Sequence, residues 1–592
     1  MTYRDIGGRK KANWTGAAVP QSQPLPGQTL NNTGIGYSWK VTDEVLLDRF
    51  LKLGIRSGTY YVTDEKTLGK DALVAVIRLI KAGKGKYVVD QCVEVAEQGL
   101  AISADPVLFT LACCLGSDFF GRVTVTKAER THRYLHPKTG RMVDEPRKAS
   151  VTKNVLNPAD VELRQYAALA LPKVARIGTD LLHFASFTGQ FRGDGTTLRR
   201  ALRSWYENMD AEKLAYQLIK YQSRDKWSQG DVMRVSHVNP KIVDTQHAAL
   251  YHWATKGWDG IGTDPHPDAV LARVWAFEKA KRSFASEEDG KRTVKGTEVA
   301  QLIRQYRLPR EAVPTEALAL VEVWEALLEQ APVGMLTRNL ATLTKNGTLV
   351  SGNKMTKLVV NMLTSGDIIQ KARLHPIKIL SALNVYRKGH GERSKATWEP
   401  LPEITAALAN AYELSYKNVT PTGLRICVAA DISGSMQGTM VNGIPGFSAW
   451  MACAGLQSII VNTEPHATAM TFHTEASLFD ARGRRVDDIV KELEQLPGGG
   501  TDIASPIQLA LHKKLDFDVI VLCTDNETWA GRAHAVTLLN DYRKQVGHRV
   551  KLINVQATAT DITNNDPNDG DMIEVAGFSA NVPLLISKFA VM

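Results

Sequence analysis

Cysteine is scarce, at six in 592 residues. Cys113 and Cys114 are adjacent, while Cys92, Cys427, Cys453 and Cys523 stand alone in apolar segments. So few thiols exclude a disulfide framework, and none has the spacing of a tetrahedral zinc site. All six are expected in the core. Long apolar runs are missing too: no stretch approaches ~20 residues, so no membrane-spanning helix is expected. The start, MTYRDIGGRKKANW, is basic with no apolar segment after it. No secretory signal is expected there, and a cytoplasmic location is.

The chain is too long for one hydrophobic core, so two or more domains are expected. Its charge is uneven. Of 72 Lys and Arg and 62 Asp and Glu, residues 421–592 hold 13 and 19, which leaves 59 and 43 for residues 1–420. The larger, basic portion is a candidate polyanion surface, although solvated faces are often basic as well.

Residues 1–40 are rich in Gly, Pro, Asn and Gln without a period, which reads as a flexible arm. Residues 41–420 change character. DEVLLDRFLKLG, KYVVDQCVEVAEQGL, TLRRALRSWYENM and MTKLVVNMLTSG repeat apolar residues at three- and four-residue intervals and stop near glycines or polar breaks. These are amphipathic helices joined by short linkers, expected to stack as antiparallel pairs. The stretch 121–158 interrupts them and is strongly basic, as an inserted loop or hairpin would be. Residues 421–592 switch to short β-rich runs (LRICVAAD, HATAMTFH, DVIVLCTD, VKLINVQAT) separated by helical segments. Apolar strands without in–out alternation point to a doubly wound α/β sheet covered on both faces. Ligands of such sheets bind at the carboxyl ends of the strands.

VAADISGSMQG (428–438) lies at one of those ends and displays Asp431, Ser433 and Ser435. PGGGTDIASP brings Thr501 before a helix, and the strand VIVLCT ends at Asp525. Five hard oxygen donors on neighbouring loops suit Mg²⁺ or another divalent cation. Loops that cap the strands without metal are the simpler alternative. A hydrolase using Asp431 or Asp525 is another, but Glu527 is the sole further acid nearby in sequence and no Lys or Arg follows the motif closely. The pattern Asp-x-Ser-x-Ser, Thr, Asp resembles the metal-ion-dependent adhesion site of the von Willebrand factor A domain. That resemblance implies Ser433, Ser435 and Thr501 as direct ligands, with Asp431 and Asp525 acting largely through water.

In KYQSRDKWSQGDVMRVSHVNP (220–240), Ser228 and Asp231 have capping-box spacing, so a helix is expected after Trp227. Lys220, Arg224 and Lys226 precede that helix, and Arg234 and His237 are read as sharing one face of it. Such a cluster offers phosphate contacts, and a histidine adds stacking. The plainer alternatives are that Arg234 pairs with a neighbouring acid and that His237 caps a packed helix. Lys371, Arg373 and His375, before Pro376, form a second basic candidate group. Trp324, Leu327 and Leu328 read as core, and Arg338 and Asn339 as a polar break after Leu336, open to a packing role or a nucleic-acid contact. The 121–158 insertion contains Arg122, Lys127, Arg130, Arg133, Lys138, Arg141, Arg147 and Lys148, interleaved with His132, Tyr134 and His136, and could extend the polyanion surface.

The 220–240 segment, YRLPREAVPTEAL with VWEALLEQAPVGMLTRNLATLT (306–345), HPIKILSALNVYRKGHG (375–391) and TDNETWAG (524–531) together resemble the Ro 60 kDa autoantigen family. Its members join a TROVE module to a von Willebrand A domain, and this chain looks like a bacterial relative. The resemblance covers roughly 45–592 apart from the insertion. It implies a monomeric closed ring of HEAT-like helical repeats (an α-solenoid). It further implies binding of structured Y RNA-like noncoding RNA outside, and of single-stranded 3′ ends of misfolded RNA through the hole. It also implies RNA quality control beside an exoribonuclease. The family's RNA-contacting lysine, arginine and histidine fall on Lys220, Arg224 and His237. No catalysis is expected. The competing reading is a metal-dependent protein-interaction scaffold built on the A domain, with RNA binding secondary.

Overall fold

A computed structural model describes residues 19–20, 23–26, 28–30, 37–39, 42–54, 73–101, 103–126, 131–146, 152–191, 195–257, 264–288, 291–391, 395–441, 446–496, 498–525, 531–557, 564–566, 569–576 and 582–591. The chain divides into two compact units. One comprises Leu68–Gly99 and Ala104–Val274; the other comprises Met1–Thr67, Leu100–Ser103 and Trp275–Met592.

The first unit is helical. Gly85–Gln98 packs on Pro158–Val174, Asp105–Gly116 on Gly178–Thr188, and Thr196–Glu207 on Gln229–Ser236. Asp105–Gly116 is buried along its whole length, which its near-continuous apolar sequence allows. Gly99 takes φ 64° as the cap of its helix, as the sequence pattern predicts. Trp205 is 4 % exposed and donates its indole N–H to the Ala175 carbonyl at 2.7 Å, so a large apolar ring is buried without an orphaned donor. The basic insertion folds as nested antiparallel ladders: Arg122–Thr126 pairs with Thr152–Leu156, and Thr131–Leu135 with Met142–Pro146.

In the second unit helical pairing continues. Gly296–Tyr306 packs on Val321–Leu328, and Pro402–Leu414 packs on both Lys354–Thr364 and Pro376–Lys388. Trp324, Leu327 and Leu328 are core, as expected. The expected polar break at Arg338 and Asn339 is absent. Both lie inside the continuous helix Val333–Lys345 and donate to the carbonyls of Gly334 and Met335 four residues back.

The sheet of this unit has six strands: β1 (Ile426–Asp431), β2 (Thr468–Phe472), β3 (Ala476–Phe479), β4 (Val519–Thr524), β5 (Lys551–Gln556) and β6 (Met572–Ala576). The order is β3-β2-β1-β4-β5-β6, parallel except for the edge strand β3. Cys427, Ala429, Ile520, Leu522 and Leu552 pack under helices Ser505–Lys513 and Ala535–Val546. The alternate residues Val428, Ala430, Val521 and Cys523 are equally buried, and helix Ala449–Thr463 packs on β1. With both faces covered, period-two alternation has no cause, which is why the strands read as continuous apolar runs. All six cysteines are buried, and none is in a disulfide.

Helix Pro376–Lys388 lies against helix Ala449–Thr463 so closely that a Cβ on Gly455 would sit 2.9 Å from a Leu380 methyl. Asn384 donates to the Gly446 carbonyl and Arg387 pairs with Asp487 at 2.9 Å, so the helical repeats run directly into the sheet.

Part of the segment expected as a flexible arm is held. Gln28–Leu30 pairs with Tyr37–Trp39, and Leu25 and Trp39 pack against the sheet's core. His534 Nε2 lies 2.8 Å from the Gln23 carbonyl. Arg49, on helix Asp43–Leu53, faces Glu574 of β6 at 3.6 Å with both side chains buried. Residues 1–18 lie outside the described residues.

Candidate nucleic-acid interface and metal site

The basic segment forms a small device on the first unit. Helix Ala211–Lys220 ends at Lys220, whose ammonium lies 5.2 and 5.4 Å from the centres of the Tyr216 and Tyr221 rings and donates to the Tyr216 hydroxyl at 3.1 Å. These aromatic faces fix a flexible cation in place. The chain then makes a two-residue hairpin, Ser223–Arg224 against Trp227–Ser228. Its loop residues Asp225 and Lys226 take φ 49° and 66°, the left-handed pair that such tight turns need. Arg224 and Lys226 are exposed. Beneath the turn the imidazole Nδ1 of His183, 4 % exposed, pairs with the Asp225 carboxylate.

Ser228 caps helix Gln229–Ser236, as the spacing predicts. Its hydroxyl accepts from the Asp231 N–H at 3.1 Å, while the Asp231 carboxylate accepts from the Ser228 N–H at 3.0 Å. The Ser228 hydroxyl bond holds the Asp231 carboxyl below the usual range, with Arg234 adding to the effect. Arg234 lies 3.0 Å from Asp231 and donates to the Thr255 carbonyl at 2.7 Å. It braces the helix, as the plainer alternative has it. His237 does not share a helix face with Arg234: the helix ends at Ser236, and His237 is the exposed cap residue at φ 54°. The hairpin and cap thus set Lys220, Arg224, Lys226 and His237 around one short helix.

The second basic group is on the other unit. Lys371 is exposed near the end of helix Gly366–Ala372, and Arg373 is its exposed left-handed cap at φ 50°. His375 caps the next helix, its Nδ1 accepting from the Ile377 N–H at 3.3 Å. Burial, with the nearby Lys378, pushes the imidazole down to about 4. It is therefore neutral near pH 7 and brings no charge to a phosphate, unlike Lys371 and Arg373.

At the carboxyl edge of the sheet, β1 and β4 are parallel neighbours, so Asp431 and Asp525 end adjacent strands. Asp431 is fully buried. Its carboxylate accepts from the Ser433 N–H at 2.7 Å and from the Thr524 hydroxyl at 2.7 Å. Burial pushes the Asp431 carboxyl up to about 6, and the Asp525 charge adds to the rise against the pull of those hydrogen bonds. The loops interlock: the Gly434 N–H donates to the Gly499 carbonyl at 3.2 Å, and a Cβ on Gly499 would meet the His473 ring at 3.0 Å. Thr501 is 3 % and Asp525 6 % exposed.

The Ser433 and Ser435 hydroxyl oxygens are 3.1 Å apart. Two adjacent ligands of octahedral Mg²⁺, each about 2.0–2.1 Å from the ion, stand about 3 Å apart. The Ser433–Ser435 pair thus has the spacing of two adjacent ligands of the cation the motif implies, as well as that of a hydrogen bond. Among the described residues no cluster of three or more His, Cys, Asp or Glu could hold a metal. The strand-end set is of another kind, two carboxylates and three hydroxyls. Glu527 lies outside the described residues.

The sequence pointed to neither His183, 42 residues before its partner, nor Thr524, an ordinary apolar-strand residue until register places its hydroxyl on Asp431.

A doubly wound sheet with hydroxyl and carboxylate loops at its carboxyl edge, continuous with paired helices, defines a von Willebrand A-type domain on a helical-repeat scaffold. The TROVE domain matches residues 30–258 and 307–385, and the Ro60 vWA domain matches 425–590. The chain belongs to the Ro60 family of TROVE–vWA proteins. It is 33% identical over 573 residues to the RNA-binding protein RO60 of Deinococcus radiodurans, covering 96% of this chain and 97% of that one. It is 28% identical over 612 residues to the RNA-binding protein RO60 of Caenorhabditis elegans, covering 95% and 90%. The crystal structure of the Deinococcus radiodurans RO (RSR) protein superposes with a TM-score of 0.72 at 32% identity, over 93% of this chain and 99% of that one.

Proposed function

We propose that this protein binds RNA without catalysing a reaction on it. It would hold structured small noncoding RNA and the single-stranded 3′ ends of misfolded RNA for quality control or processing by an exoribonuclease, as a cytoplasmic monomer whose helical repeats close into a ring. The observation that carries the reading is the exposed set Arg224, Lys226 and His237 beside the ring-held Lys220, on a chain whose relatives are named RNA-binding proteins. Ammonium and guanidinium groups neutralise phosphates, and an exposed imidazole stacks on an unpaired base. Lys371 and Arg373 form a second contact in the same reading.

The test replaces Lys220, Arg224 and His237 together by alanine and titrates RNA in a filter-binding assay at moderate salt. Three lost contacts should weaken binding by tenfold or more. Unchanged affinity in a properly folded variant refutes the assignment.

A second reading rests on a separate observation, the buried carboxylates beside paired hydroxyls. Ser433, Ser435 and Thr501 would hold Mg²⁺ directly, with Asp431 and Asp525 around it, and the ion would present an open position to a partner's carboxylate. The two readings are compatible. Partner capture that survives both Asp431→Ala and chelation would remove the second.

A further inference from the structure

We propose that the ladder Thr131–Leu135/Met142–Pro146 of the basic insertion is an RNA-contacting arm that stacks unpaired bases on one face, at Tyr134 and His136, and grips their phosphates with Arg141 and Lys138. This inference rests on the RNA-binding reading and adds a site to it. In the register Tyr134 stands opposite Val143, and the His136 N–H donates to the Arg141 carbonyl at 2.9 Å. Strand alternation then puts Tyr134, His136, Val143 and Arg141 on the same face. The rings of Tyr134 and His136 stack at 6.5 Å and 29°. The turn Pro137–Gly140 closes through Gly140 at φ 60°, and the Lys138 N–H donates to His136 Nδ1 at 3.3 Å. That bond makes Nδ1 an acceptor, so Nε2 is the ring's donor toward a ligand.

Lys138 and Arg141 are exposed, and among the described residues neither has an ion-pair partner. Residues 121–156 carry nine Lys and Arg against three Asp and Glu. Planar rings beside unneutralised cations are what a single-stranded polyanion with π-faced bases binds, and the stacking tolerates any base. The opposite face differs. Cross-strand partners Leu135 and Met142 are 63 % and 55 % exposed, with Arg133 beside them. That face presents apolar side chains in place of stacked rings and serves as the internal control.

The full-length chain is tested with a uridine-rich single strand carrying 4-thiouridine. Tyr134→Ala should weaken binding about tenfold, and Tyr134→Phe should restore it, because the ring and not the hydroxyl stacks. Arg141→Ala should lower the slope of log affinity against log salt by about 0.7, the value of one single-strand phosphate contact. Photocross-links should map to the 131–143 peptide. The pair Leu135→Ser with Met142→Ser should leave RNA affinity unchanged. If Tyr134→Ala and Arg141→Ala bind as wild type while the Lys220, Arg224 and His237 variant is impaired, the arm is refuted and the RNA reading stands. If the wild type retains no RNA at low salt, both fall. A loss confined to the Leu135/Met142 pair would mean that a protein partner, not RNA, uses the arm, and would refute the proposal.

Discussion

Lys226→Gly should move stability and RNA affinity in opposite directions. Lys226 holds φ 66° in the two-residue loop between Arg224 and Trp227. A side chain in that region costs roughly 1–2 kcal/mol relative to right-handed backbone. Glycine removes this cost but enlarges the unfolded ensemble, worth roughly 0.5–1 kcal/mol the other way. The net gain is about 0.5 kcal/mol, and for a unit of about 200 residues that is a rise of about 1–2 °C in the melting midpoint. The same change removes an exposed cation. If Lys226 neutralises one phosphate of a single strand, the salt slope falls by about 0.7, so the affinity ratio of variant to wild type narrows about two- to threefold between 50 and 200 mM salt. Thermal unfolding and filter binding across that range read both effects. Lys226→Ala is the companion variant: it should lose the same slope without the gain in midpoint. A ratio that stays constant with salt removes Lys226 from the RNA contact, and a midpoint several degrees lower refutes the strain argument.

Two further outcomes follow from the cap and the metal loops. His375, neutral and pushed down to about 4, takes up a proton more readily when unfolded. Its contribution is therefore intact above pH 6.5 and lost as pH falls toward 4, by about 3 kcal/mol in all. His375→Asn keeps a capping side chain without this titration, so urea unfolding at pH 7 and pH 4.5 should show a smaller fall for the variant; equal falls would refute the cause. At the sheet edge, Asp431→Asn removes a buried charge beside Asp525 and should raise the midpoint in EDTA. Mg²⁺ at a hundredfold its dissociation constant should add about 2.7 kcal/mol to the wild type and nothing to the variant. Equal stabilisation of both would place the cation elsewhere.

The strand-end loops were legible as loops at the carboxyl edge of the sheet because their pattern is local: oxygen donors two residues apart at the end of an apolar run, then a glycine-led hydroxyl. Helix starts were legible for the same reason, since Ser228 and Asp231 satisfy each other across one turn. Helix ends were harder. His237 and Arg373 occupy left-handed caps where glycine usually signals the stop, so the sequence carries the helix at Arg234 one residue too far, onto His237. The hairpin at 223–228 gave no signal either, because Asp225 and Lys226 replace the Asn-Gly of a typical tight turn. Its geometry is imposed from outside, by His183 pairing with Asp225. Docking of Leu25 and Trp39 on the sheet was illegible for a similar reason: the partner surface is built from residues hundreds of positions away.

That docking constrains how the protein is made. The segment around Leu25 is made early, and the surface that covers it, including His534, is 511 residues beyond Gln23. At roughly 5–20 residues per second the wait is on the order of half a minute to nearly two minutes. Docking of this segment is therefore a late event, completed only once the sheet is made. Halting translation before the sheet is complete should yield a product prone to clump rather than a working half-molecule.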